Sequence, residues 1–264
     1  MITFVCCPKP FITEFKLIQE NAILSWNNIG LDCKIVVCCD DYGIEEFCKK
    51  YNFIYEPNVE RNEYGTPLVY SIFEMGYKHT SIDGFVCYIN SDIILTSSFT
   101  KTFNEFKRNS MLKEFLIVGQ RWDIEKTYPI DFNNSNWENE LTEKVYAENR
   151  IHSVCGIDYF LHSPTTFSKI PKTFAIGRYH WDRWLMYDAF SRDIHTIDVT
   201  KTVLCVHQDG EYYSSHNIIP KNLLSETDES KRNCAVFADC GRNIDVSKYK
   251  TIYDENQNII FIER

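Results

Sequence analysis

The clearest candidate for chemistry is the segment Tyr88-Ile89-Asn90-Ser91-Asp92, in which a carboxylate follows a short apolar run. The apolar run from Phe85 to Ile89 predicts a strand buried on both faces, so Asp92 falls just past its carboxyl end. A carboxylate there, with an oxygen-bearing neighbour two residues earlier, can hold a divalent cation and leave coordination sites for substrate phosphates. The alternative is a purely structural role, in which Asp92 only caps the following turn. The residues alone leave both interpretations open.

Two other residues could extend such a site. His207 closes a strand-like run, and a neutral imidazole there can add a nitrogen ligand that favours manganese over magnesium, although a lone histidine at a strand end is more often a surface residue. Asp182 lies in the first turn of a predicted helix, flanked by Trp181 and Trp184. The helix dipole stabilises a carboxylate at that position. Asp182 could equally be a general base in a pocket whose aromatic walls stack on a sugar or exclude water.

Weaker signals come from Asp158 and Arg61. Asp158 interrupts an extended apolar run, so it either faces a cleft or pairs with an arginine. Arg61 precedes Thr66-Pro67, where we predict the capped start of a helix whose free N–H groups could meet an anion. The sequence contains no P-loop, G-x-G-x-x-G, G-x-S-x-G or H-E-x-x-H motif. Their absence argues against the commonest kinase-like, dinucleotide-binding, hydrolase and zinc-protease functions.

The elements that must position these residues alternate between strand and helix in the first hundred residues. We predict strands at Ile2 to Cys7, Cys33 to Cys39, Phe53-Ile54 and Phe85 to Ile89, with helices at Thr13 to Asn28, Ile44 to Lys50 and Thr66 to Tyr77. This order is typical of a doubly wound, mostly parallel sheet flanked by helices. Such sheets bind ligands at the carboxyl ends of their strands. Pro8-Lys9, Asp40-Asp41 and Asn90 to Asp92 all fall at such ends.

The second half of the chain is less regular. We predict helices at Thr100 to Lys107 and Trp181 to Phe190, and strands at Phe115 to Gly119, Gly156 to Leu161, Ile194 to Val199 and Thr202 to Val206. Residues 120–152 read as a long polar loop, and residues from about 217 onward as a tail of uncertain order. We therefore predict one α/β domain that ends in this tail.

Composition limits the class of partner and the compartment. The net charge of −9 over 264 residues argues against nucleic acid as a partner. The eleven cysteines are an odd number, and no two of them have a C-x-x-C spacing. Most lie in segments predicted to be strands, so we expect free thiols that pack as small hydrophobic side chains. The start MITFVCC lacks the features of a signal peptide, and no apolar run approaches the roughly 18 residues of a membrane span. We therefore expect a cytoplasmic protein without a membrane span.

Nine blocks in order resemble the GT-A-type glycosyltransferase-like family seen in giant DNA viruses, plants and bacteria. The blocks are SWNNIG, CCDDYG, NEYGTPLV, YINSDIIL, VGQRWD, GIDYFL, IGRYHWDRWL, IDVT and VHQ. The resemblance covers the chain to about residue 215 and, more loosely, Glu229 to Asn233. It implies a Rossmann-like GT-A domain with a nucleotide-binding half of about 1–119, an acceptor-binding half of about 120–215 and a C-terminal tail of about 216–264. It further implies a nucleotide-diphosphate-sugar donor, a glycan or glycoprotein acceptor, Mn2+ or Mg2+ as cofactor and, if the chain is viral, the host cytoplasm.

The resemblance also implies roles for individual residues. It suggests Asp182 as the catalytic base, Asp92 and His207 as metal ligands, and Pro8, Lys9, Asp41, Arg61, Asn90, Ser91 and Asp92 as nucleotide-sugar-binding residues, with Trp122, Asp158, Tyr159 and Trp181 toward the acceptor. Asn90 departs from the family's D-x-D metal motif, and residues 209–212 replace an expected N-H-D-Y continuation.

The leading hypothesis is a metal-dependent inverting glycosyltransferase. A retaining glycosyltransferase or a sugar nucleotidyltransferase is the alternative among enzymes, because both also place a metal-binding carboxylate after a buried strand. A non-catalytic GT-A-like module that binds a glycan or scaffolds an assembly is the alternative outside enzymes, and Asn90 is the feature that favours it. The sequence predicts no oligomeric state.

Overall fold

Two β-sheets organise the chain, for which the computed structural model describes residues 1–109, 114–125, 127–208, 221–236 and 243–264. The strands are β1 (Ile2–Cys6), β2 (Cys33–Cys38), β3 (Ile54–Glu56), β4 (Phe85–Ile89), β5 (Ile93–Leu95), β6 (Phe115–Val118), β7 (Trp122–Ile124), β8 (Tyr159–His162), β9 (His195–Asp198), β10 (Cys205–Gln208), β11 (Tyr249–Tyr253) and β12 (Ile259–Glu263). The α-helices are α1 (Thr13–Asn28), α2 (Ile44–Tyr51), α3 (Val69–Lys78), α4 (Ser97–Asn109), α5 (Trp137–Glu148), α6 (Trp181–Ser191) and α7 (Asp228–Val236). Short 3₁₀ helices form at Lys221–Glu226 and Ile244–Val246.

The large sheet has the strand order β12-β11-β9-β6-β8-β4-β1-β2-β3. Most neighbours in it run parallel, and β8 is antiparallel to both β4 and β6. Its central strands are nearly all apolar because both faces are covered; every residue of β1 is buried. The predicted mostly parallel α/β domain is confirmed. Within the described part of the chain, no helix has both the length and the apolar character that a membrane crossing needs.

The small sheet has the order β5-β10-β7, with β10 antiparallel to β5 and parallel to β7. Helix α5 covers it, and its side chains Trp137, Leu141 and Val145 pack with Ile124 and Val206. The prediction of a long loop over residues 120–152 was therefore wrong. Strand β7 has only three residues, and α5 shows one apolar residue per turn among charged ones, so neither pattern is long enough to stand out.

The C-terminal residues are also part of the fold. Strand β11 pairs in parallel with β9, and β12 returns antiparallel to β11, so the described end of the predicted tail extends the large sheet. Helix α3 starts later than predicted, at Val69 after the extended residue Leu68, and no side chain caps it. The hydroxyl of Thr66 instead lies 3.3 Å from Nη2 of Arg178, as its hydrogen-bond acceptor.

Helix α7 joins two segments that precede other helices. Glu229 forms an ion pair with Arg178, just before α6, and accepts a 2.6 Å hydrogen bond from Nδ2 of Asn62, before α3. The side chain of Asn233 exchanges two 3.2 Å hydrogen bonds with the backbone of Ala175. The Arg178 side chain is fully buried and that of Glu229 is 5% exposed, so each charge depends on the other.

We therefore expect Glu229→Gln to lower the free energy of unfolding by about 3 kcal/mol, because it leaves the buried Arg178 charge without a counter-charge. Urea unfolding measures the loss. Glu226→Gln is the matched control, since Glu226 is 74% exposed and lies 3.9 Å from Lys231, and it should cost less than about 1 kcal/mol. Equal losses in the two variants would show that the buried pair does not hold α7 in place.

Candidate active site

The sheet brings three polar strand ends to one edge. Strand β1 pairs in parallel with β2 and β4, so Lys9, Asp41 and Asp92, which follow these strands, lie on the same side. Pro8 is buried, while Lys9 and Ser91 are half-buried. Burial lowers the pKa of Lys9, and the negative charge of Asp92 opposes that shift. The Lys9 ammonium is therefore close enough to Asp92 to interact with it.

The small sheet places a histidine between two carboxylates. Asp92 lies in the turn between β4 and β5, and the register of β10 sets His207 opposite Ile93 on one side and Asp123 on the other. Nε2 of His207 lies 3.6 Å from Oδ2 of Asp92, and Nδ1 lies 3.3 Å from Oδ1 of Asp123. Nδ1 of His152 lies 2.9 Å from the other oxygen of Asp123. We call Asp92, Asp123, His152 and His207 the His207 cluster.

Asp92 has the environment of a cation ligand. Its Oδ1 atom is buried, and no donor among the described residues hydrogen-bonds to it. Burial alone would raise the pKa of Asp92, but the charge of His207, with smaller contributions from Arg121 and Lys9, lowers it to about 2. The side chain is therefore ionised at neutral pH.

The donor set also fits a hard divalent cation. The described residues contain no group of three or more His, Cys, Asp or Glu side chains arranged to hold a metal ion. Mg2+ and similar ions in phosphate-binding sites are commonly held by one or two protein ligands, with water and substrate oxygens completing the shell. Asp92 and Nε2 of His207, with Nε2 3.6 Å from Oδ2, could together supply two protein ligands.

Arg121 joins this cluster to Asp158. Its Nε lies 3.0 Å from Oδ1 of Asp123, and its Nη1 donates to both oxygens of Asp158 at 2.9 Å. Asn90 donates from Nδ2 to Asp158 at 2.7 Å and accepts from the hydroxyl of Tyr88 at 2.8 Å. The amide of Asn90 thus both donates to and accepts from neighbouring side chains. An aspartate at position 90 would instead place a second carboxylate against Asp158, so the structure gives a physical reason for an asparagine here.

Asp41 and Arg61 form a separate pair at the end of β2. Nη2 of Arg61 lies 2.8 Å from Asp40 and 2.9 Å from Asp41, and Nη1 donates to the carbonyl of Gly65. The guanidinium is therefore neutralised by two carboxylates. In this arrangement Arg61 orients Asp41. This role differs from the predicted one, in which Arg61 is the counter-charge for a bound anion.

Asp182 lies in the first turn of α6, as predicted, and its Oδ1 accepts a hydrogen bond from the backbone N–H of Arg183 at 2.8 Å. Burial raises the pKa of Asp182 to about 6; the N–H of Arg183 opposes the rise and the negative charge of Asp158 adds to it. A carboxyl group with this pKa can accept a proton at neutral pH and release it again. This pKa is compatible with the general-base role expected from the sequence.

The four residues predicted to face an acceptor have different environments. Trp122 is half-buried and meets Tyr146 edge to face. Asp158 is engaged by Arg121 and Asn90. Tyr159 is fully buried beside Phe99, and Trp181 is 5% exposed and packs on Tyr88 and Phe160. In this structure Tyr159 and Trp181 are packing residues, and only Trp122 has a partly open aromatic face.

Sequence reasoning missed Arg121, Asp123 and His152. The block VGQRWD contains Arg121 and Asp123, but neither residue was assigned a role because the segment that forms β7 was predicted to be a loop. A short alternation of apolar and charged residues at Trp122-Asp123-Ile124 is the signal that could have found Asp123. Nothing in the sequence around His152 separates it from a surface histidine. The departure at residues 209–212 lies outside the described residues.

Comparisons with known proteins agree with this arrangement at the level of fold. No model of a protein family matches the chain, and no curated protein matches it. Glucosyl-3-phosphoglycerate synthase from Mycobacterium tuberculosis, solved with Mg2+ and uridine diphosphate (UDP), superposes with a TM-score of 0.50 at 14% identity, over 100% of this chain and 87% of the synthase. GalNAc-T7, solved with UDP, GalNAc and Mn2+, gives 0.53 at 10% identity, over 90% of this chain and 48% of GalNAc-T7.

S. aureus TarS 1-349 gives a TM-score of 0.46 at 10% identity, over 80% of this chain and 59% of that fragment. The chain therefore spans well under two thirds of the TarS fragment and about half of GalNAc-T7. The synthase and GalNAc-T7 define the class of fold: the chain has the mixed α/β GT-A fold, as the sequence predicted.

The hydrogen bond from Asn90 to Asp158 can be tested by substitution. We expect Asn90→Asp to cost on the order of 2 kcal/mol at pH 7, because it removes the donor to Asp158 and sets two carboxylates side by side. The double variant Asn90→Asp with Asp158→Asn restores one donor and one carboxylate, so in urea unfolding it should be more stable than the variant that combines Asn90→Asp with Asp158→Leu, which has no donor at position 158. Both double variants lose the ion pair of Arg121 with Asp158, so the comparison isolates the contact between residues 90 and 158. A single Asn90→Asp variant as stable as the unmodified protein would contradict this role of Asn90.

Proposed function

We propose that this chain is a metal-dependent glycosyltransferase that moves a sugar from a UDP-sugar to an acceptor hydroxyl with inversion of configuration. The proposal rests on the surroundings of Asp92, which follows a strand of the parallel part of the sheet. Its Oδ1 atom is buried and has no hydrogen-bond partner among the described residues, and its Oδ2 atom lies 3.6 Å from Nε2 of His207. The fold neighbours solved with UDP and Mg2+ or Mn2+ support the nucleotide and the cofactor.

Asp92 and His207 would hold the Mn2+ or Mg2+ ion, which when bound neutralises charge that develops on the departing diphosphate. Asp123 would position His207, because a carboxylate facing Nδ1 orients the ring so that Nε2 is directed toward Asp92 and the ion. The Lys9 ammonium, close to Asp92, would bind a phosphate oxygen of the same leaving group. Ser91 and Pro8 would line this part of the cleft.

Asp41 would bind the base of the nucleotide, and Arg61 would hold its carboxylate in place. An ionised carboxylate only accepts hydrogen bonds, so it selects a base edge that presents an N–H donor. Uracil has such a donor at N3. The ion pair with Arg61 fixes one oxygen of Asp41 at 2.9 Å and limits rotation of the other.

Asp182 would take the proton from the attacking acceptor hydroxyl. Inversion needs a base on the face opposite the leaving group, and a carboxylate whose pKa is about 6 is matched to proton transfer near neutral pH. The charge of Asp158 would add to the rise in that pKa caused by burial, and its oxygens would hold Asn90. Trp122 would present the open aromatic face to a glycan or glycoprotein acceptor.

Asn90 no longer favours the non-catalytic module. Its amide bridges Tyr88 and Asp158, so the missing carboxylate has a structural reason that does not require loss of activity. A retaining transferase and a nucleotidyltransferase would give Asp182, with its raised pKa, no proton to accept. An inverting transferase needs such a carboxylate as the general base for the acceptor hydroxyl.

The metal site predicts how nucleotide binding depends on Mn2+. Asp92→Asn should weaken Mn2+-dependent UDP binding at least about tenfold, because it removes a charged ligand, and Asp123→Asn should weaken it about 10- to 100-fold by releasing His207. Isothermal titration of UDP with Mn2+ and with a chelator separates the metal-dependent part. Asp83→Asn, at an exposed turn before β4, is the control and should bind like the unmodified protein. Unchanged Mn2+ dependence in Asp92→Asn would refute the site.

The base assignment predicts both a loss and a pH profile. Asp182→Asn should lower kcat at least about 100-fold and leave UDP binding nearly unchanged. In the unmodified protein, kcat/KM should fall about tenfold per pH unit below pH 6, because protonated Asp182 cannot accept a proton. Asp188→Asn, on the same helix but paired with Arg192 at the surface, is the matched control. An active Asp182→Asn enzyme would overturn the assignment.

A further inference from the structure

Two cysteines meet at the end of the large sheet where the nucleotide cleft is proposed. Cys7 directly follows β1 and Cys39 directly follows β2, and their Sγ atoms lie 2.7 Å apart. The parallel register that pairs Cys6 with Val37 brings these positions together. The residues are 32 apart in sequence, so the contact comes from the pairing of β1 with β2.

The surrounding backbone holds Cys39 in this position. Its N–H donates a 3.0 Å hydrogen bond to the carbonyl of Glu56, which ties it to the end of β3. Its φ angle is 83°, a left-handed conformation that non-glycine residues adopt only when neighbouring structure imposes it. Cys39 is fully buried and Cys7 is 8% exposed. The two thiols are therefore confined beside each other.

We propose that Cys7 and Cys39 are a redox pair that forms an intramolecular disulfide and so links the ends of β1 and β2 covalently. Bond formation would bring the sulfur atoms closer by about 0.7 Å, a shift that side-chain rotation can supply between paired strands. Lys9 and Asp41 each lie two residues beyond a cysteine of the pair. The disulfide would fix the spacing of the two loops that carry them, whatever ligand those loops bind.

A hydroperoxide is a sufficient oxidant. The thiolate of one cysteine attacks a peroxide oxygen, the O–O bond breaks, and a sulfenic acid and hydroxide form. The sulfur of the second cysteine then attacks the sulfenic sulfur; the S–S bond forms, the S–O bond breaks and the oxygen leaves as water. In total, two thiols and one hydrogen peroxide give one disulfide and two waters, and the two electrons lost by sulfur reduce the peroxide.

The reaction should be slow at neutral pH and faster in alkaline solution. Burial, with a further contribution from its contact with Cys39, raises the pKa of Cys7 well above its usual value, and the thiolate is the reactive form. Cys155 is exposed, so its thiol will react with peroxide sooner than the buried thiols of Cys7 and Cys39. Its product is a separate sulfenic acid that does not report on the pair.

The test is disulfide mapping of the folded protein after hydrogen peroxide treatment at pH 8.5. The Cys155→Ser variant removes the exposed thiol and retains ten of the eleven cysteines. After oxidation of this variant, alkylation of the denatured protein and peptide mass spectrometry should find one linked peptide that joins Cys7 to Cys39, and two fewer free thiols than in the reduced variant. Dithiothreitol should restore both thiols. The linked form should melt roughly 5 °C higher, because the bond restricts the unfolded chain.

Cys7→Ser and Cys39→Ser are the matched variants, and each should give no linked peptide and no rise in melting temperature. The mapping of the unmodified chain stands even if a serine variant fails to fold. Recovery of both Cys7 and Cys39 as alkylated thiols after oxidation would overturn the proposal. A linkage of either residue to a different cysteine, such as the neighbouring Cys6, Cys38 or Cys48, would overturn it as well. None of these readouts requires UDP binding or transferase activity.

Discussion

The pairing of β10 with both β5 and β7 is the constraint on which the candidate site depends. This pairing sets His207 between Asp92 and Asp123, which lie far from it in the sequence and become its neighbours through three short strands. The interior of α1 secures the arrangement. Asn21 donates to the side-chain oxygen of Gln208 at 2.9 Å, and Gln208 donates to the carbonyls of Ile18 and Asp92. A loss of register by one residue would turn His207 to the other face.

Charge balance is the second requirement of this site. Asp92, Asp123 and Asp158 place three carboxylates in a partly buried volume, where each would be costly to ionise alone. Arg121 forms ion pairs with two of them, and Lys9 acts on Asp92 from the end of β1. Three carboxylates face these two cations, so negative charge remains in excess when the histidines are neutral. A divalent cation beside Asp92 would offset this excess, so the electrostatics of the protein are consistent with the proposed cofactor.

The sequence predicted the parts of the fold whose patterns are long or strongly apolar. The buried strands β1, β2 and β4 and the helices between them follow directly from periodicity, and the polar residues after each strand identify the edge where a site could form. The short strand β7 and the helix α5 were missed because three residues or one apolar side chain per turn give too weak a period. Asp123 was missed with them. Contacts between distant segments, such as that of Arg121 with Asp158, have no local signature at all.

The departure at Asn90 shows why a motif should be judged together with its surroundings. In a D-x-D motif both carboxylates contribute negative charge near the cation. Here Asn90 gives up that charge and binds Asp158, while Asp123 supplies a carboxylate from another strand, behind His207. Asp123 thus supplies a second carboxylate close to His207, while Asp158 remains bound by Arg121 and Asn90. The charge of Asp158 adds to the effect of burial in raising the pKa of Asp182. Asp158 therefore links Asn90 and Arg121 electrostatically to the proposed base.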